Sequence, residues 1–157
     1  MSATYVWSES NTAIETVTDG ITNLNFGSND SVNLNTSTYP ITAGQNSFSK
    51  YIRAKFSSTF TEISNMKFWK SAGTCVTDEA IKASANATFA TPSATDTGDS
   101  DVPIIVGSAL AIQSSAGTTT ITAPGYTKYL RLQLQTSAST PSGAVNTKTF
   151  TFQYDEI

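Results

Sequence analysis

Asp78-Glu79 and Asp155-Glu156 are the adjacent carboxylate pairs from which acid–base chemistry could start. Neighbours on a strand point to opposite faces, so neither pair converges on one substrate atom. A glycosidase needs two carboxyls about 5 to 9 Å apart across a cleft, and nothing in the sequence predicts that cleft. The chain has no histidine. That removes the commonest general base, the commonest metal ligand and every Ser-His or Cys-His dyad. These carboxylates therefore read as solvated surface groups, and no catalytic residue is expected. The acidic cluster Asp96, Asp99 and Asp101 lies in the segment DTGDSD. Such a loop could wrap Ca²⁺, which takes six to eight oxygens. The spacing is not that of an EF-hand and no Glu stands at its far end, so a solvated loop is the better reading. No metal or cofactor is expected. Cys75, the single cysteine, cannot make an internal disulfide, and its neighbours Thr74 and Val76 offer no activating cation. It reads as a small buried or half-buried hydrophobe. Tyr51, Tyr126, Tyr129, Trp7 and Trp69 could form an aromatic platform for sugar rings, but Trp69 beside Phe68 fits a core-filling role better.

Composition narrows the class of function. The 157 residues suit one ordinary domain. More than a third of them are Ser, Thr or Asn, and only 13% are charged, against about 25% in ordinary domains. Thr suits a pleated, half-wet surface, while Ser and Asn suit turns. A helical protein would cover its outer faces with Glu and Lys. The net charge is −3 and there is no basic run, so the footprint of a nucleic-acid binder is missing. No stretch approaches the roughly 20 apolar residues of a membrane helix. The opening MSATYVWSES has neither a basic nor an apolar region of the kind that marks a secretory signal, and the expectation is use without export. Three Asn-X-Ser/Thr sequons, at Asn29, Asn35 and Asn86, are what chance gives in a chain so rich in these residues.

The elements that must position these groups are strands. Ile52, Ala54 and Phe56 alternate with Tyr51, Arg53 and Lys55. Leu130, Leu132 and Leu134 alternate with Arg131, Gln133 and Gln135, and Phe150, Phe152 and Tyr154 with Thr149, Thr151 and Gln153. Ile81, Ala83, Ala85 and Ala87 alternate more weakly, and Asp78-Glu79 could instead open a short helix there. A period of two puts one set on a core face and the other on a wet face, as in antiparallel sheets. In Phe60–Lys70, Ile63 and Met66 are out of phase, which places a bulge at Asn65. Asp19-Gly20 between Ala13–Val17 and Ile21–Phe26 signals a hairpin turn. Residues 91–103 and 136–147 read as exposed loops. The predicted core is Ile52, Phe56, Phe68, Leu130, Leu132, Leu134, Phe150 and Phe152. Residues 1–12 carry few core-like side chains beyond Tyr5, Val6 and Trp7. They read as an arm or an edge strand, with Tyr5 and Trp7 binding a neighbouring subunit or shell in place of the chain's own core. Residues 13–157 read as a single all-β domain: an antiparallel β-sandwich or jelly roll of about eight to ten strands.

The segment FSKYIRAKFSSTFTEISNMKFWKSAG (48–73), an Ala/Ser/Thr-rich centre and the ending TKTFTFQYDEI together resemble small β-sandwich structural proteins of tailed bacteriophages. The resemblance covers about half of the chain. It implies a virion component with no catalytic residues: a capsid decoration protein or a small head or tail accessory protein. It implies the major capsid protein or another virion protein as partner, and a homo-oligomer, often a trimer. The competing expectation is a carbohydrate-binding or adhesin module, which would need an exposed aromatic pair.

Overall fold

In the computed structural model, which describes residues 2–86, 88–96, 99–141, 143 and 146–157, the alternating segments are strands. In chain order these are β1 (Thr4–Asn11), β2 (Thr16–Ile21), β3 (Lys50–Ser57), β4 (Ile63–Ala72) and β5 (Glu79–Asn86). They are followed by β6 (Ser100–Asp101), β7 (Leu110–Ala111), β8 (Gly125–Tyr126), β9 (Tyr129–Thr136) and β10 (Thr149–Glu156). A single 3₁₀ turn at Val106–Ser108 is the only helical element among the described residues. The weak Ala-rich alternation is strand β5, not a helix; its last predicted position, Ala87, lies outside the described residues.

Two antiparallel sheets pack as a β-sandwich. The larger runs β2-β1-β3-β9-β5-β6, with β8 also paired to β3; the smaller runs β10-β4-β7. Strands β8 and β9 follow one path along β3, broken by one extra residue: Lys55 faces Tyr126, but Ile52 faces Leu130. Thr127 closes that break by donating its N–H to the Ala54 carbonyl and accepting the Ala54 N–H on Oγ1, both at 3.0 Å.

The core lies between the sheets. Ile52, Ala54 and Phe56 on β3, Ile81 and Ala83 on β5, and Leu130, Leu132 and Leu134 on β9 face Ile63, Met66 and Phe68 on β4. All are buried, in the phase their alternation requires. Phe150 and Phe152 are only partly buried, because β10 is an edge strand and cannot be covered on both sides. Phe150 stacks on Phe68 with ring centres 5.4 Å apart.

Two expectations are overturned. Thr4–Asn11 is neither an arm nor an edge: β1 pairs with both β2 and β3, and β2 is the edge. Tyr5 and Trp7 pack on the chain's own core, each with its ring 5.4 Å from Phe152. The segment looks poor in core residues because Ser8, Glu9, Ser10 and Asn11 are also buried, as polar groups. The hairpin turn is at Thr12–Glu15, and Asp19-Gly20 lies inside β2. Trp7 faces Ile21 and Ser8 faces Asp19, so Gly20 is the extra residue of a bulge, and its φ of 77° is the left-handed value that glycine adopts without strain. The bulge at Asn65 is present: Gln153 faces Lys67 while Asp155 faces Ser64, and Asn65 has φ 52°.

Candidate functional site

The outer face of the large sheet was expected to be solvated and is instead a built polar layer. The Arg53 guanidinium lies 3.9 Å from the Tyr126 ring centre and 4.5 Å from that of Tyr129. The Tyr129 hydroxyl donates to Glu15 Oε1 at 2.6 Å, and Ser10 Oγ donates to the same oxygen at 2.7 Å. Burial and then the bond to Glu15 push the Tyr129 phenol up to about 12. Burial opposes ionisation of Glu15, but the bonds from Tyr129 and Ser10 and the nearby Arg53 charge outweigh it and hold the carboxyl below its ordinary range. Lys55 and then Ser8 hold Asp19 low in the same way.

Further along this face Arg131 grips Asp99 in a two-pronged pair, Nε to Oδ2 at 2.8 Å and Nη2 to Oδ1 at 2.6 Å. Asp96 Oδ1 lies 3.7 Å from Nη1. Gln133, expected on the wet face, is 1% exposed. Its amide donates to the carbonyls of Ser47 (3.0 Å) and Ser93 (3.2 Å) and accepts from Gln135 at 2.8 Å. Phe89 packs edge-on against Tyr51. Part of the segment expected to be an exposed loop therefore lies clamped onto the sheet.

The predicted acidic groups do not converge. Asp96 and Asp99 face Arg131, while Asp101 pairs with Lys82 at 2.7 Å. Among the described residues no group of three or more His, Cys, Asp or Glu side chains is placed to hold a metal ion. Glu79 is not solvated: its carboxylate accepts the Val76 N–H and pairs with Lys148, and both side chains are buried. Asp78 accepts from Ser139 on another side. Asp155 accepts from Asn65, and Glu156 accepts the Ala3 N–H at 2.6 Å, joining the two ends of the described chain. Of the five aromatic residues considered as a sugar platform, Tyr51, Tyr126 and Tyr129 share the outer face of the large sheet, but they are not open to a sugar ring. Tyr51 and Tyr129 are buried, Trp7 is in the core, and Tyr126 lies against Arg53. Trp69, expected to fill the core, points outward from β4 opposite Thr151 and is half-exposed. Cys75 packs half-buried against the core, as its neighbours suggested.

Two features had no reading in the sequence. Between the sheets, on the side where β2 and β10 are the open edges, lies a cleft of about 580 Å³. Trp7, Leu24, Phe26, Phe68 and Phe150 form its apolar walls, and Thr22, Asn23, Asn146 and Thr147 line it with polar groups. The alternation of Leu24 and Phe26 was the available signal, but it reads as a continued strand. On the other side, between β6 and β7, Ile104, Ile105 and Val106 are 64%, 60% and 49% exposed. No family model, curated protein or solved structure matches this chain.

Proposed function

We propose that this chain is a non-enzymatic virion structural protein of the tailed-bacteriophage kind, a capsid decoration or head/tail accessory protein that binds the particle surface. The observation that carries the reading is the contrast between its charged and apolar groups. Arg53, Lys55, Lys82, Arg131, Lys50 and Lys148 each pair with a carboxylate of the same chain. Three consecutive large aliphatics stand exposed on a rigid sandwich. Such a surface is suited to packing against another protein, not to polarising a substrate. The strand style of residues 48–73 and 147–157 points the same way. A carbohydrate-binding module is supported less well, because Tyr51 and Tyr129 are buried, Tyr126 lies against Arg53 and Trp7 packs on the core. The test is mass spectrometry of purified, nuclease-treated particles from a lysate that expresses the chain. The expected result is its presence at a fixed copy number relative to the major capsid protein. Its absence from particles, with the protein abundant in the soluble fraction, refutes the reading.

A further inference from the structure

The exposed aliphatic loop and the cleft lie at opposite ends of the strand order. The loop joins β6 to β7, the last strands on one side of each sheet, whereas the cleft opens beside β2 and β10 on the other. One copy of the chain therefore cannot bring them together. The loop is held in place from both sheets. Val102 is buried and donates its N–H to the Ile81 carbonyl of β5 at 2.8 Å, and the Pro103 carbonyl accepts from Lys70 N–H of β4 at 2.8 Å. The 3₁₀ turn then sets Ile104, Ile105 and Val106 outward with none of its own residues buried.

We propose that this loop inserts into the cleft of a second copy, so that the chain self-associates head to tail. Three arguments support the match. The loop PIIVGS (103–108) carries no charge, and among the described residues the only charged one lining the cleft, Lys148, is neutralised by Glu79. Seating an aliphatic loop there therefore strips no unpaired charge of water. The cleft volume of about 580 Å³ falls within the range of roughly 300–1,000 Å³ typical of concave sites that enclose a ligand. Three adjacent aliphatics form a patch on the order of a few hundred Å². That is a sizeable part of the roughly 800 Å² per partner that a stable interface buries, and the open edges of β2 and β10 flank the cleft with further surface. A heterologous contact of this kind closes into a ring or runs on as a filament. It concerns copies of this chain alone: a monomeric chain found in virions would refute it and leave the particle reading standing.

Sedimentation velocity on the full chain tests the proposal. The wild type should form species larger than a dimer. Ile105→Asp removes the anchor, and Asn23→Arg, at an exposed position, blocks the cleft; each should weaken association by about 30-fold or more. Circular dichroism should stay unchanged, because both positions face solvent. Mixing the two variants restores one intact loop and one intact cleft, and should give a 1:1 dimer that grows no further. A wild type that stays monomeric at the highest soluble concentration refutes the proposal, as does an oligomer indifferent to Ile105→Asp or a mixture that forms no dimer. If either variant misfolds, Ile105→Cys and Asn23→Cys chains, each in a Cys75→Ala background, take its place. Oxidation of their mixture should trap a covalent pair, and failure to do so overturns the contact.

Discussion

At the scale of single residues, adjacent positions on β9 separate two kinds of burial. Leu132 is fully buried on the core face, and Leu132→Ala should cost about 2–5 kcal/mol. Gln133 is buried on the opposite face, where its loss would leave the Ser47 carbonyl without its donor, while the Ser93 carbonyl would keep the Ser49 N–H. Gln133→Ala should therefore also destabilise, by about 1–3 kcal/mol, although alternation alone marks it as a neutral surface change. Urea denaturation of both variants checks this, and a Gln133→Ala midpoint equal to wild type would contradict the observed bonds. Tyr129 and Glu15 contribute to the pH response at its two ends. Tyr129 is raised from 10.0 to about 12, so the folded state keeps a proton that the unfolded state loses between these values. Its contribution is complete below pH 10 and disappears as pH rises through 12. Glu15 is lowered from 4.5, so its contribution is complete above pH 4.5 and is lost as pH falls through the depressed value. Melting temperature should fall at both ends, and Tyr129→Phe should flatten the alkaline fall.

At the scale of elements, the phase of a strand does not by itself separate apolar from charged burial. Lys50 stands in the same phase as Ile52, Ala54 and Phe56, and Glu9 in that of Tyr5 and Trp7. Their side chains pair at 2.8 Å with 1% exposure each. Asn11 donates to Glu9, and the Ser31 carbonyl accepts from Lys50, so the pair is hydrogen-bonded on both sides. Lys50→Met alone should cost about 3–5 kcal/mol, because it strands the Glu9 charge in the interior. Lys50→Met combined with Glu9→Leu should recover much of that loss. Thermal and urea melts of the single and double variants measure the difference, and additive losses would show that the pair is not coupled.

At the scale of the whole molecule, β1 ties the sheets together. It pairs with β2 and β3 and sends Tyr5 and Trp7 across to Phe152 and Phe68. Deleting residues 2–12 should abolish cooperative folding, not release a binding-deficient but folded domain. A truncated chain with a native circular dichroism spectrum and a sharp melt would show that β1 is dispensable.

What the sequence determined by itself is local. The two-residue period of β3, β9 and β10, the core face of each and the bulge at Asn65 follow from side-chain order along one strand, which needs no knowledge of a partner strand. Tertiary structure alone decided which segments pair and what covers each face. Asp19-Gly20 fits a turn and a bulge equally well, and only the pairing of Ser8 with Asp19 selects the bulge. The acidic residues Asp96 and Asp99 read as solvated until the fold brings them to Arg131 on β9. The cleft and the aliphatic loop became visible only once the sheets had an order. Their positions depend on contacts between residues far apart in the chain, and burial is a property of those contacts, not of composition.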